Sequence, residues 1–186
     1  MREARSRYST VSIVLHWTIF VLIFANATFG GWMEDAARAD RLPYFALHKS
    51  VGITVLALSL ARLGWRFAHP FPPFPDATPR WQRWIARSIH VLFYVLMIGA
   101  PLLGWAAASA GGAPETPLYG TIPAPNLPVG GGAAMAETLG GLHKALVKAI
   151  YVVLGLHVLG ALKHHFIDRD EVLHRMLPLI PVWRKR

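Results

Sequence analysis

Residues 141–166 read GLHKALVKAIYVVLGLHVLGALKHHF. The apolar segment they open, residues 142–167, is long enough to cross the hydrocarbon of a bilayer, which is roughly 30 Å thick and takes about 20 helical residues. His143 and His157 sit fourteen residues apart within it. At about 100° and 1.5 Å per residue they fall within roughly 40° of one helix face, about 21 Å apart along the axis. An imidazole inside a lipid-buried helix is costly and by default marks function. Two on one face, near opposite ends, would supply one ligand to each of two stacked centres, in the way that facing helices of a bundle build a cofactor site.

Three further segments have the same character: residues 9–30, 45–67 and 84–108. The expectation is therefore an all-α membrane protein, a four-transmembrane-helix bundle forming a single domain over residues 1–186. Gly, Ser and Ala recur in every span, as close packing between membrane helices requires. Residues 31–44 read as a short polar loop. Residues 69–81, HPFPPFPDATPRW, hold prolines at 70, 72, 73, 75 and 79 and are not expected to be helical. Residues 109–139 are rich in Gly, Pro and Ala and read as irregular or only partly helical. The first apolar run is too long for the core of a cleaved leader and carries His16, so it is read as the first membrane helix.

The charge pattern agrees. Charged residues make up 16% of the chain, against about 25% in soluble domains, so the solvent is lipid. The net charge of +9 is not the signature of a nucleic-acid binder, because Lys and Arg cluster in short blocks between apolar runs and not along one face. Fourteen of the 19 lie on the side of the termini and the proline loop. The other side has Arg38, Arg41, Lys49, Lys144 and Lys148. By the positive-inside rule both termini face the cytoplasm, and the loops at 31–44 and 109–139 face the periplasm of a bacterial inner membrane.

Five histidines lie in or at the ends of the spans: His16, His48, His90, His143 and His157. His16, His90 and His157 share the cytoplasmic depth; His48 and His143 share the periplasmic one. There is no cysteine, which excludes disulfides, CxxC zinc sites, iron–sulfur clusters and haem attached through CxxCH. Zinc would want four ligands at one point, and each layer offers two or three. A di-iron carboxylate site needs glutamates inside the bundle, and no Glu falls within the four spans. Haem needs two axial nitrogens and has an apolar macrocycle suited to this core. Two imidazoles leave no open position on its iron, which then transfers electrons and does not bind oxygen.

At LHWTIF (15–20), LHKSVGI (47–53), the His90 helix, LHK (142–144) and GLHVLGALKHHF (155–166) the sequence resembles the bacterial cytochrome b561 family of four-helix di-haem membrane proteins. The likeness covers almost the whole chain and rests on the order and spacing of these motifs together. It implies two non-covalent haem b groups, the cytoplasmic one held by His16 and His157 and the periplasmic one by His48 and His143. Spacing agrees for the periplasmic pair, since no other histidine shares that layer. It leaves the cytoplasmic pair open, because His90 competes as a ligand or stands as a neighbour of the haem. Gly52, one turn after His48, would let a macrocycle approach; Gly104 would do so on the third span or simply serve helix packing. Arg62, Arg66 and Arg87 either pair with haem propionates or reach phospholipid headgroups.

The resembled family includes superoxide oxidases, which take electrons from periplasmic superoxide and reduce ubiquinone. Lys49, Lys144, Lys148, Arg38 and Arg41 either steer that anion to the outer haem or anchor the helices at the interface. His164, seven residues after His157, and His165 are placed to donate to a quinone carbonyl or to stand as interfacial polar residues. The proline loop has no Lys between Phe71 and Pro79 to add a basic quinone contact. The alternative is a haem b relay or anchor subunit that takes electrons from a periplasmic redox protein and passes them to the quinone pool.

Overall fold

The computed structural model describes residues 7–180. Four long helices run through them: α1 (Thr10–Asp35), α2 (Arg41–Ala68), α3 (Arg80–Ala110) and α4 (Gly132–Lys163). At 26 to 32 residues each, or about 39–48 Å at 1.5 Å per residue, all four are long and apolar enough to cross a membrane. The chain is a multi-pass membrane protein, a four-helix bundle. Its apolar side chains face outward: Val21, Val152 and Leu159 are each more than 60% exposed. In water such a surface would be an aggregation liability; in a bilayer it is the lipid contact. Arg2, Arg5, Arg184, Lys185 and Arg186, counted among the cytoplasmic charges, lie outside the described residues.

Each helix is longer than expected. The first runs five residues past Gly30, because Gly30 and Gly31 stay helical and Trp32 holds the extra turn against Phe29 and Tyr44. The polar loop then shrinks to residues 36–40, with a single 3₁₀ turn at Arg38–Asp40. α4 begins ten residues early, at Gly132. The run GAAMAETLGG is alanine-rich, and Ala has the highest helix propensity of any residue. Gly131, at φ 103°, makes the left-handed turn that starts it.

α1 packs against α2 and α3 against α4, each as an antiparallel pair, and α2 meets α3 more lightly. Among the described residues no close backbone approach joins α4 to α1 or α2. Ile19, Val51, Val55 and Met97 form one buried cluster; Leu96, Ala100, Ile150 and Val153 form the other. Ile23 and Phe93 pack against both and bridge the two pairs. An open seam is left where α4 faces α1 and α2.

Polar groups tie the ends. Ser9 caps α1 through the Ser12 N–H and also accepts from Trp65 Nε1 of α2. Trp17 Nε1 donates to the Met176 carbonyl and holds the C-terminal segment on α1. Arg83 donates to the carbonyls of Pro75, Asp76 and Thr78 and so pins the proline loop to α3. At the opposite end the long loop, residues 111–131, folds back over the bundle. Lys49 Nζ donates to Thr116 O and Ala124 O at 3.3 and 3.1 Å, and Ser50 Oγ accepts from Tyr119 N.

The buried Lys49 ammonium is therefore the clasp of the long loop. Hydrogen bonds from a charged donor contribute about 1.5–3 kcal/mol each, and local opening sets the rate of proteolysis. Lys49→Met is expected to speed chymotryptic cleavage at Tyr119 about tenfold or more, equivalent to losing about 1.4 kcal/mol. An unchanged cleavage rate would show that the loop is held elsewhere.

Candidate functional site

The histidine rings meet across the open seam. His16 of α1 and His157 of α4 have ring centres 6.1 Å apart with planes at 62°. His48 of α2 and His143 of α4 have centres 6.0 Å apart at 87°. Metal–imidazole bonds of roughly 2 Å, plus about 1 Å from nitrogen to ring centre, set the rings of a bis-imidazole metal site about 6 Å apart. Both pairs have that spacing, and both bridge helices whose backbones stay apart. The two pairs lie at opposite ends of the seam, as the spacing of His143 and His157 requires.

The pair near the long loop lines a cavity of about 380 Å³, whose walls include Asn26, Gly52, Met97, Pro101 and Gly104. It is within the size range of small-molecule and cofactor sites, roughly 300–1,000 Å³, and its walls are mostly apolar. His48 Nδ1 lies 2.9 Å from the Asn26 carbonyl of α1, and His143 Nδ1 lies 2.8 Å from the Ala100 carbonyl of α3. A carbonyl only accepts, so each Nδ1 carries the proton and each Nε2 keeps its lone pair for a metal. The Asn26 Oδ1 atom is buried with no hydrogen-bond partner. Gly52 brings α2 against Asn26, where a Cβ would stand 3.3 Å from the amide nitrogen. These residues suit a large apolar group held by nitrogen ligands.

At the other end a third ring joins the pair. His90 of α3 lies 5.5 Å from His157, ring centre to ring centre, and its Nδ1 donates to the Ala86 carbonyl of its own helix at 2.6 Å. Phe93 and Trp17 meet His157 and His16 edge-on, and Phe71 of the proline loop covers His90. Arg62 donates to the Ser12 carbonyl at 2.7 Å. The Arg66 guanidinium lies 3.5 Å above the Phe71 ring, with its Nη1 buried and unpartnered. Both arginines therefore stand beside the histidine cluster. Arg87 does not: it is exposed on α3 and makes none of the cluster's bonds.

The charges at the long-loop end differ from expectation. Lys49 is buried and tied to two loop carbonyls, so its ammonium is turned away from any anion at the surface. Lys144 pairs with Glu34 at 2.5 Å, which cancels its field. Arg41 donates to the Ala36 and Glu34 carbonyls at the end of α1 while staying exposed. Arg38 and Lys148 are exposed. Of the five cations expected to steer an anion, Arg38, Arg41 and Lys148 stay exposed and outside the ion pair with Glu34 and the contacts with the long loop's carbonyls.

Past Lys163 the chain takes one π-helical turn, His164–Asp168, and Arg169 follows in the left-handed region at φ 54°. That turn brings Asp168 and Asp170 back to His164, whose Nδ1 lies 2.7 Å from Asp170 Oδ2 and 3.3 Å from Asp168 Oδ2. The three ligand atoms lie within 4.8 Å of one another, close enough for a metal ion. Lys163 already supplies a cation, 2.6 Å from Asp168. His165 is buried and meets Phe166 edge-on. Burial works against the charged form of Asp170, but the His164 contact and the Val172 N–H outweigh it and hold its carboxyl below the ordinary value. Asp170 was not singled out from the sequence, nor were Asn26, Ala100 and Gly30. The Asn26 and Ala100 contacts are made by backbone carbonyls, Gly30 has no side chain, and Asp170 is brought back by a turn that helical periodicity does not foresee.

Residues 7–179 match the sequence pattern of the prokaryotic cytochrome b561 family. The chain is 33% identical over 174 residues to cytochrome b561 homolog 2 of Escherichia coli K12, covering 92% of this chain and 91% of that one. It is 32% identical to cytochrome b562 of Cereibacter sphaeroides, covering 91% and 94%. It is 29% identical to a probable superoxide oxidase, CybB, of Yersinia pestis, covering 92% and 96%.

The depressed Asp170 carboxyl fixes a sign. Its stabilising contribution is present above the ordinary value of 3.8 and is lost as the pH falls through the lower folded value. Asp170→Asn is expected to lower Tm in detergent at pH 7, with the deficit shrinking below about pH 4. A deficit equal at both pH values would mean that the carboxylate charge is not its source.

Proposed function

The chain belongs to the prokaryotic cytochrome b561 family of transmembrane electron-transfer proteins, and on that premise we propose that it is a superoxide:ubiquinone oxidoreductase with two haem b groups. The observation that carries this reading is the pair of imidazole couples, 6.1 and 6.0 Å between ring centres, at opposite ends of one seam. His16 and His157 hold one iron and His48 and His143 the other, and His90 stands beside the first as a neighbour. Haem b held by two imidazoles supplies reversible one-electron transfer with no open coordination position.

The long-loop end faces the periplasm and both termini face the cytoplasm of a bacterial inner membrane, because most Lys and Arg lie on the proline-loop side. Arg38, Arg41 and Lys148 raise the local concentration of an anionic donor at the outer end. Overall, two superoxide ions lose one electron each and leave as oxygen. Ubiquinone gains both electrons and two protons to become ubiquinol. At the inner end His164, oriented by Asp170, and His165 beside it are placed to bond a quinone carbonyl. The likeness to a probable superoxide oxidase over most of both chains supports this donor.

Two measurements test the reading. The purified protein should contain two haems by pyridine haemochromogen, and His16→Leu and His48→Leu should each leave about one. In stopped flow, superoxide should reduce the oxidised protein in a phase abolished by superoxide dismutase, and a quinone analogue should reoxidise it. Reduction no faster than spontaneous dismutation would overturn the superoxide reading and leave a relay that takes its electrons from a periplasmic redox protein.

A further inference from the structure

Two glycines touch a histidine ring. A Cβ on Gly30 would stand 3.2 Å from both Nδ1 and Cε1 of His48, and one on Gly104 would stand 3.1 Å from Nδ1 and 3.2 Å from Cε1 of His143. Gly30 follows Asn26 by four residues and Gly104 follows Ala100 by four. Asn26 and Ala100 are the residues whose carbonyls lie 2.9 and 2.8 Å from those same Nδ1 atoms. The arrangement occurs twice, once on α1 and once on α3, and serves the two rings of the long-loop pair.

The geometry of an α-helix explains it. The carbonyl of residue i already accepts the N–H of residue i+4, and its second lone pair is open only to a donor that comes in from the side. A helical side chain leans towards the N-terminus and covers the turn before its own Cα, so residue i+4 shields carbonyl i. A glycine at i+4 leaves that carbonyl bare. Gly31 and Gly64, by contrast, have open space around them. At the opposite end His90 bonds the Ala86 carbonyl of its own helix and, among the described residues, takes no carbonyl from a neighbouring helix.

We propose that Gly30 and Gly104 are positioning residues of the long-loop haem site, each exposing a backbone carbonyl that takes the Nδ1 hydrogen of an axial histidine from the adjacent helix. The proposal rests on the reading of His48 and His143 as axial ligands. A hydrogen bond at Nδ1 fixes the ring's tautomer and orientation and raises the basicity of Nε2. A more basic ligand stabilises the ferric state and lowers the potential of that iron alone.

The experiment is a spectropotentiometric titration of the full-length protein in detergent, with the outer component identified as the one lost in His48→Leu. Gly30→Ala and Gly104→Ala are each expected to raise the outer potential enough to change its reduced-to-oxidised ratio at a fixed poise at least tenfold. The inner component and the haem content should be unchanged, and Gly31→Ala should change neither component. If a glycine variant loses the outer haem or fails to fold, the remote-nitrogen quadrupole couplings of the unaltered protein decide, and a hydrogen-bonded Nδ1 at the outer iron is expected. Unbonded couplings there, an unmoved outer potential, or equal shifts of both components would overturn the proposal. A protein that holds no haem, or whose two components both survive His48→Leu, would overturn the ligand reading and the proposal with it.

Discussion

Imidazoles lodged between membrane helices have two ring nitrogens to satisfy and no water to satisfy them. The arrangement of α1–α4 follows from that demand. On His48 and His143 one nitrogen is answered by a carbonyl of the neighbouring helix, which leaves the other directed across the seam. The seam must then stay wide enough for what lies between the rings, and the backbones of α1 and α2 do stay clear of α4. Tight packing is confined to α1 with α2 and α3 with α4. The bundle is two helical hairpins that meet through α2 and α3 and are bridged by Ile23 and Phe93.

The two ends of the seam are built differently. Near the long loop the site has two rings, two glycines and an apolar cavity, and Lys49, Ser50 and Thr54 clasp that loop to α2. Near the proline loop there are three rings, two arginines and a lid of Phe71. Charge follows the same division. Cations at the long-loop end are few and partly neutralised by Glu34, whereas those at the proline-loop end are numerous and hold loop carbonyls.

The four spans, the two layers of histidines and the likeness to the cytochrome b561 family were legible in the chain itself, because apolar length and a helical repeat on one face need no tertiary information. The same logic erred at the helix ends. Gly30–Gly31 and the alanine-rich run before Leu142 read as breaks, yet Trp32 and Ala propensity keep both helical. Lys49 read as a surface charge because its neighbour in sequence is a ligand candidate; it is buried because a loop some seventy residues away folds over it.

From the sequence come the number of helices, the depth of each histidine and the fourteen-residue step that puts His143 and His157 on one face. Only the tertiary structure could decide which rings meet at the proline-loop end, which carbonyls the rings bond, and that His90 joins His157 while Arg87 stays outside. Depth is a property of one helix and its hydrophobic pattern. Pairing depends on how neighbouring helices are rotated and spaced, which is set by packing among residues far apart in the chain. The carbonyls of Asn26 and Ala100 are backbone atoms that every residue possesses, so only the approach of another helix singles them out.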